Sequence, residues 1–406
     1  MKVPLLDLKA QYKTMKSDID AALIRVAESQ NFILGPEVEK MEQSMSAYIG
    51  CKYSYGISSG TDALLLALMA IDIKPGDEVI VPTFSFFATA GVVARLNAVP
   101  VFVDSDKHSF NIDVHQIEKK ITPKTKAIVP VHLFGQSSDM TKIMEIAKKH
   151  NLKVIEDGAQ AIGVHYDDGR QVGTIGDIGC FSFFPSKNLG CYGDGGLVTT
   201  NDDQLAERLK IMRVHGGKPK YYHKVIGGNF RIDAIQAAIL NVKLPYLDQW
   251  SAKRRENAAL YSKLFIEAGL AEKEGNTLFD EKNSVLLPKA LYKESGHKNY
   301  HIYNQYVIRV DRRNALREFL TQNEIGNEVY YPVPFHRQEC FQYLKSNDTD
   351  YPVANCAATD SVAVPIYPEL TAEQILFVVN KVKEFQTTVA STKPKECKNC
   401  DCMKNN

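Results

Sequence analysis

The sequence of 406 residues carries almost no net charge and has no long hydrophobic run. Its 49 lysines and arginines balance 48 aspartates and glutamates, so it shows no basic footprint for nucleic acid. It has no run of about 18 apolar residues, so no membrane span is expected. The start, MKVPLLDLKAQYK, lacks the apolar core of a signal peptide, and we therefore expect a cytoplasmic protein.

The eight cysteines fall into two groups. Five are scattered, and in a cytosolic enzyme we expect free thiols at these positions. They are Cys51, Cys180, Cys191, Cys340 and Cys356. The other three, Cys397, Cys400 and Cys402, crowd the end within ECKNCDC. They could form a soft-metal or iron–sulfur clip, or be incidental thiols of a disordered tail. A fourth ligand is not obvious, which favours the tail and predicts no metal site.

From residue 53 to residue 200, short β-rich runs alternate with helical stretches, and no internal repeat is visible. The predicted strands are YSYGI, EVIVP, VPVFVD, KAIVPVHLFG, LKVIEDGA, CFSFF and GGLVTT. The predicted helices are DALLLALMAI, SFFATAGVVARLNA and MTKIMEIAKKH. This alternation predicts an α/β fold whose mostly parallel sheet is covered by helices on both faces.

The rest of the sequence predicts a smaller second domain. Helix DQLAERLKIMR is followed by HGGKPKYYHKVIGGN, a long polar loop whose length suggests a function. A long helix then starts near Ile232 and is kinked or broken at Pro245. Further on, HIYNQYVIRV and NEVYYPVPF predict strands, while RRNALREFLTQN and EQILFVVNKVKEFQ predict helices. We expect a large domain over 1–250, a small C-terminal α+β domain over 251–386 and a disordered tail over 387–406.

Ligands of open α/β sheets bind beyond the carboxyl ends of the strands, so residues there are site candidates. SSGTDA, residues 58–63, lies between a strand and a helix, where free N–H groups favour an anion such as phosphate. Alternatively, Thr61 or Asp62 is a plain helix cap.

Asp157 ends a strand in VIEDGAQA, and a buried carboxylate is costly without a cation. It could hold a heterocyclic nitrogen protonated, or belong to a structural ion pair or cap.

A third strand end, in CFSFFPSKNLGCYGDGG, offers the Ser182 hydroxyl and the Lys187 amine. An apolar pocket would lower the pKa of Lys187 and free a nucleophilic amine, whereas a surface lysine would extend into water. The glycines that follow allow close approach of a ligand. Phe86, in VPTFSFFATA, could cover the flat face of a bound ring or pack in the core.

The order of these features along the chain points to one cofactor. Each of these features comes at or just after the end of a predicted strand of one sheet. Their order along the chain is a phosphate loop, an aromatic ring, an aspartate and a lysine. Together they provide for a phosphate, a ring face, a ring nitrogen and an aldehyde. These are the parts of pyridoxal 5′-phosphate (PLP), whose lysine Schiff base and pyridinium partner are recurring features.

Over residues 3–385 the sequence resembles the PLP-dependent nucleotide-sugar aminotransferases of the DegT/DnrJ/StrS family. The resemblance rests on NFILGPEVEKME, SSGTDALLLAL, GDEVIVPTFSFFATA, TKAIVPVHLFGQ, VIEDGAQAIG, SFFPSKNLGCYGDGG, GGNFRIDAIQAAIL and YYPVPFHRQ. It implies the fold type I (aspartate aminotransferase-like) architecture, with a three-layer, mostly parallel central sheet and a smaller C-terminal α+β domain. The tail over 387–406 lies outside the resemblance.

The resemblance also implies roles for individual residues. Lys187 would form the internal aldimine with PLP and move the proton between cofactor and substrate carbons. Asp157 would pair with the pyridinium nitrogen, Gln160 would lie near the ring hydroxyl, and Phe86 would stack on the ring. The residues implied to hold the phosphate are Gly60, Thr61, Asp62 and Ser182.

Four further residues are implied to complete the site. Asn229, in GGNFR, would reach the phosphate of the neighbouring subunit, which implies a homodimer with shared active sites. Arg231 is the candidate for a substrate carboxylate or a nucleotide phosphate. Tyr331 and His336, in YYPVPFHRQ, would line the sugar pocket.

The implied activity is transamination of a nucleotide-linked keto-sugar with L-glutamate as the amino donor. The motifs look most like those of members acting on a 3-keto sugar linked to UDP or dTDP. The product would be an amino sugar for polysaccharide, lipopolysaccharide or another glycoconjugate.

One alternative is amination of a 4-keto sugar. A sugar 3-dehydratase would carry histidine in place of Lys187, which argues against it. The remaining alternative is a non-catalytic regulatory paralogue that binds PLP or sugar.

Overall fold

The computed structural model describes residues 1–219 and 221–389. Its α-helices are α1 (Leu8–Ser29), α2 (Pro36–Ile49), α3 (Gly60–Ala70), α4 (Ala88–Arg95), α5 (Val114–Ile117), α6 (Met140–His150), α7 (Asp203–Met212), α8 (Ala234–Lys243), α9 (Leu247–Glu267), α10 (Arg313–Gln322), α11 (Pro352–Asp360) and α12 (Ala372–Glu384). Its strands are β1 (Tyr53–Ile57), β2 (Glu78–Pro82), β3 (Val99–Val103), β4 (Thr125–Ile128), β5 (Lys153–Asp157), β6 (Ile178–Ser182), β7 (Gly196–Thr200), β8 (Tyr306–Arg309) and β9 (Ser361–Val364).

Seven strands form the central sheet in the order β1-β7-β6-β5-β4-β2-β3. All neighbours pair in parallel except β7, which is antiparallel to both β1 and β6. The predicted mostly parallel sheet is therefore confirmed. The strand predicted in KAIVPVHLFG is shorter than expected. It ends at Ile128, and the chain turns further on, at Phe134, which has a positive φ of 57°.

Alternating residues of the strands face two different helical layers. On β2, Val79 and Val81 pack in the cluster that contains α3 and α4, whereas Ile80 packs in the cluster that contains α6. A further cluster joins α1, α2 and α8 to the other end of the sheet. The sheet is thus covered on both faces, which confirms the three-layer architecture.

The second half of the chain builds a separate apolar cluster around the antiparallel pair β8–β9. Helices α9, α10 and α12 pack on it, and Val3 joins it through backbone bonds with Glu324 and Gly326. The predicted break at Pro245 is present, since a 3-10 turn separates α8 from α9. The domain boundary predicted between 250 and 251 falls within α9, and the division into domains stays a prediction.

NEVYYPVPF was predicted as a strand, and this is wrong apart from one isolated pairing between Glu328 and Ala363. Pro332 and Pro334 interrupt it, because proline cannot donate to a sheet ladder. The strand that pairs with β8 is instead β9, directly after α11.

Four of the five scattered cysteines are free thiols: Cys51, Cys180, Cys191 and Cys340. Cys356 is disulfide-bonded, so a free thiol there was the wrong expectation. The three cysteines of ECKNCDC lie outside the described residues, as does most of the predicted tail. Within the described ranges, no helix is long and apolar enough to cross a membrane.

Candidate active site

A cavity of about 610 Å³ lies at the carboxyl ends of the sheet strands. Such an edge is where ligands bind in open α/β sheets. Eight of the residues singled out in the sequence line this cavity: Gly60, Thr61, Phe86, Asp157, Gln160, Ser182, Lys187 and Tyr331. Segments far apart in the chain therefore meet in one place.

Lys187 lies in the turn that follows β6. Its backbone N–H donates to the Phe184 carbonyl at 2.8 Å. A Cβ at Gly190 would approach the Pro185 carbonyl oxygen to 2.5 Å, so this close turn requires glycine. Burial lowers the pKa of Lys187 to about 8, while the Asp157 charge opposes the shift. The amine can thus gain and lose a proton near neutral pH.

Asp157 ends β5 and is only 4% exposed. It accepts a hydrogen bond from Thr89 Oγ1 at 2.8 Å and one from the Ala159 N–H at 3.1 Å. Burial raises the pKa of its carboxyl, and the Thr89 bond opposes this shift. Among the described residues no cation forms a salt bridge with it. A buried carboxylate of this kind fits a site where a ligand brings positive charge.

Gln160 joins two distant segments at the wall of the cavity. Its Oε1 accepts from the Phe134 N–H at 2.7 Å, and its Nε2 donates to the Tyr331 hydroxyl at 3.0 Å. The turn at Phe134, beyond the end of β4, aims this N–H at Gln160. The Tyr331 ring lies 6.2 Å from that of Phe86, which is 57% exposed and therefore offers a ring face to a ligand.

The first turn of α3 meets the end of β6 at very short range. A Cβ on Gly60 would lie 2.6 Å from the Ser182 Cβ, so only glycine permits this approach. The N-cap of α3 is Ser59, whose hydroxyl accepts from the Asp62 N–H at 3.1 Å. Thr61 and Asp62 are therefore not the cap. The Asp62 carboxylate accepts from the Ser58 hydroxyl at 2.7 Å and does not line the cavity.

Asn229, Arg231 and His336 also lie outside the lining of the cavity. Asn229 is exposed, and Arg231 pairs through its backbone with Ile57 while its Nε has no partner among the described residues. His336 is buried, with Nδ1 2.7 Å from the Thr83 hydroxyl and Nε2 3.1 Å from an Asp348 oxygen. Both of its ring nitrogens are thus engaged within the protein.

Sequence reasoning missed several residues of the cavity and its support. Thr89, in the first turn of α4, gave no signal beyond its place in the FATA segment. Asp194, Gln305 and Glu328 also line the cavity. Gln305 directly precedes β8, and that strand-end position was the one local clue to it.

The pattern of the DegT/DnrJ/EryC1/StrS aminotransferase family matches residues 13–383. A pleiotropic regulatory protein of Geobacillus stearothermophilus is 48% identical over 95% of this chain and 99% of its own. A UDP-N-acetyl-3-dehydro-α-D-glucosamine 3-aminotransferase of Acidithiobacillus ferrooxidans is 40% identical over 94% of this chain and 97% of its own. The crystal structure of S. venezuelae DesV with a ketimine intermediate has a TM-score of 0.87 at 38% identity, covering 96% of this chain and 99% of that one. The chain belongs to the DegT/DnrJ/EryC1/StrS aminotransferase family.

Proposed function

We propose that this PLP-dependent aminotransferase transfers the amine of L-glutamate to C3 of a keto-sugar linked to UDP or dTDP. The product is an amino sugar for polysaccharide, lipopolysaccharide or another glycoconjugate. The observation that carries the proposal is the presence of Lys187 and Asp157 in one cavity of about 610 Å³. The name of the Acidithiobacillus ferrooxidans relative supports amination at C3 and a UDP-linked sugar.

The residues of the cavity fit PLP. Asp157 is a buried carboxylate without a salt-bridge cation in the described ranges, as a pyridinium partner must be. Gly60 and Ser182 touch so closely that a larger residue would fill the space beside the first turn of α3. The N–H groups of that turn and the hydroxyls of Thr61 and Ser182 suit the phosphate. When bound, PLP supplies an electron sink for charge that develops at the substrate carbon.

Lys187 is the residue that would hold the aldehyde of PLP, and its Nζ would move the proton. Its pKa of about 8 leaves part of the amine uncharged at neutral pH, so Nζ can act as nucleophile, base and acid in turn. Asp157 would hold a proton on the ring nitrogen, and Thr89 fixes the orientation of the Asp157 carboxylate. Phe86 would cover one face of the ring, and the Gln160–Tyr331 pair would lie near the ring hydroxyl.

Two residues outside the cavity of this subunit have roles in this proposal, and Asn229 serves the site of a second copy. Asn229 is exposed after a long polar loop, which suits a side chain that reaches the phosphate in a partner. Arg231, with an unpartnered Nε among the described residues, is the candidate for a substrate carboxylate or nucleotide phosphate. Tyr331 lines the cavity and would contact the sugar, whereas the engaged nitrogens of His336 do not support a place in the sugar pocket.

A panel of substrates tests the proposal. UDP- and dTDP-linked 3-keto and 4-keto sugars are incubated with L-glutamate, and 2-oxoglutarate is measured. We expect turnover of a 3-keto sugar and none with the Lys187→Ala variant. Turnover of 4-keto sugars alone would contradict amination at C3.

The 48% identical relative is named a pleiotropic regulatory protein, which favours one second candidate. In that case the chain would bind PLP or a nucleotide-linked sugar and act as a regulator. The same panel separates the two functions. A regulator binds the sugars, but releases no 2-oxoglutarate with any of them.

A further inference from the structure

A second, smaller cavity of about 70 Å³ adjoins the one that contains Lys187. The two cavities share Ser186, Gln305 and Tyr330 in their walls. The small cavity is also lined by Arg254 of α9 and by apolar residues from the N-terminal segment and β9. A cavity that holds a water needs about 10–15 Å³, so this one has room for a small polar group.

Arg254 is a buried cation that forms no salt bridge within the described residues, and the Glu369 carboxylate is the negative charge that acts on it. It is 3% exposed, and its Nη1 donates to the carbonyls of Tyr303 at 3.0 Å and Ile366 at 2.9 Å. In the described part of the chain, no carboxylate forms a salt bridge with it and Nε has no acceptor. Burial lowers the pKa of Arg254 to about 10, which still leaves it charged at neutral pH. A buried charge is costly unless an anion pairs with it.

Unsatisfied acceptors lie in the same small cavity. Oδ1 of Asn304 and Oε1 of Gln305 are buried and have no hydrogen-bond partner among the described residues. Both residues line the small cavity, and Gln305 lines the large one as well. A buried cation without a salt bridge, beside two amide oxygens without donors, fits a ligand that carries both an anionic group and N–H or O–H donors.

We propose that this small cavity, which we name the Arg254 pocket, binds a carboxylate of the amino donor. Arg254 pairs with the carboxylate, and Gln305 holds the donor where the two cavities join. Ser186 lies in both walls and directly precedes Lys187, so a donor anchored here extends toward the reactive amine. The inference rests on the proposed function, since it names the residues that recognise the donor.

The size and walls of the pocket favour the donor as the source of the carboxylate. A volume of about 70 Å³ suits a carboxylate group and is too small for a nucleotide. Leu5 and Leu6 contribute apolar side chains to the wall, and less polar surroundings strengthen a charge pair. The other source with this chemistry is a keto-sugar that carries a uronate carboxylate, and the experiment distinguishes the two.

Binding of glutarate to the holoenzyme tests the Arg254 pocket by calorimetry. Glutarate has the carboxylates of the donor but no amine, so it does not react. We expect Gln305→Glu, which places a negative charge in the wall, to raise the Kd for glutarate about tenfold or more. Arg254→Lys should do the same, because lysine lacks the planar fork of arginine. The Gln305 amide makes no hydrogen bond within the described residues, so its variant should keep the fold.

Asn257→Ala is the matched control. Asn257 also lies on α9 and donates to the carbonyl of Tyr367 at 2.8 Å, but it does not line the pocket. A purely structural role of α9 would make this variant behave like Arg254→Lys. We expect its Kd for glutarate and its KM for L-glutamate to stay at the wild-type values.

A UDP-linked hexuronate is titrated in parallel. Loss of hexuronate affinity with unchanged glutarate affinity would overturn the proposal, because the pocket would then serve the sugar. If the variants bind glutarate and the hexuronate as tightly as the wild type does, the Arg254 pocket holds only water and the proposal is overturned. Since binding is measured without turnover, weakened glutarate binding supports the pocket even if no keto-sugar is aminated. Normal sugar amination with unweakened glutarate binding overturns the pocket alone.

Discussion

The Thr89 hydroxyl donates to the Asp157 carboxylate at 2.8 Å, and both side chains are buried. Thr89 belongs to α4 and Asp157 ends β5, so the bond fixes the carboxylate between a helix and the sheet edge. In the described parts of the chain no cation forms a salt bridge with this carboxylate. The threonine therefore stabilises the charged form that a pyridinium nitrogen requires.

Replacing Thr89 by valine keeps the shape and removes the hydroxyl. The pKa of Asp157, already raised by burial, should rise further, and the carboxylate should hold the pyridinium less well. A hydrogen bond to a charged group contributes about 1.5–3 kcal/mol, so PLP affinity should fall roughly 10- to 100-fold. A cofactor titration followed by absorbance measures this. Thr89→Ser retains the donor and should bind PLP nearly as tightly as wild type; equal affinity of Thr89→Val would refute the role.

The stability of the PLP-free protein should depend on pH through Lys187. Its pKa is about 8 in the folded protein against a usual 10.5, so the unfolded chain holds the extra proton between these values. Burial of the charged amine therefore lowers the free energy of unfolding by its full amount below about pH 8. This destabilisation decreases as the pH rises toward 10.5.

We accordingly expect Lys187→Met to be more stable than wild type below about pH 8, with an advantage that shrinks at higher pH. Urea unfolding across this pH range measures the difference. Burial also lowers the pKa of Lys243 to about 8. Because Lys243 is present in both proteins, its effect on the free energy of unfolding cancels in their difference. An advantage that grows with pH would have the wrong sign for this explanation.

Tyr331→Phe removes the acceptor for Gln160 Nε2. A buried donor left without a partner costs about 1–3 kcal/mol, and the free energy of unfolding should drop by that amount. Tyr343→Phe is the control, because Tyr343 is exposed and its change should have almost no effect. Similar losses in the two variants would mean that the Gln160–Tyr331 bond adds nothing specific.

Mixing two inactive variants tests the shared site. Lys187→Ala and Asn229→Ala are each expected to be inactive as homodimers. If Asn229 serves the partner, every mixed dimer has one site free of both substitutions, and random exchange restores about one quarter of all sites. Recovery of activity on mixing measures this. No recovery, despite mass-spectrometric evidence of mixed dimers, would place Asn229 in its own subunit's site.

Most of the sheet and the centre of the site could be predicted from the sequence, because their signals are local. Each β-rich run between residues 53 and 200 contains a strand; Asp157 ends β5, and Lys187 lies in the turn after β6. The helix α1 also had a signal, since Met15, Ile19, Ala22 and Val26 recur at helical spacing, although it was not predicted.

The contacts that complete the site could not be predicted in this way, because they join segments far apart in the chain. Gln160 and Tyr331 are 171 residues apart, and Arg254 reaches carbonyls 49 and 112 residues away. His336 is a residue that a local motif placed in the site but that a distant contact holds outside it. It follows a tyrosine-rich motif, yet its ring is held by Thr83, 253 residues earlier, and lies outside the cavity.

The proposed function depends on the Lys187 amine as the group that carries the cofactor. The most direct measurement treats the purified PLP-loaded protein with borohydride, digests it and locates the modified residue by mass spectrometry. We predict a reduced PLP adduct on Lys187 and on no other lysine, including the buried Lys243. An adduct elsewhere, or no adduct in protein that retains PLP, would show that Lys187 does not carry the cofactor.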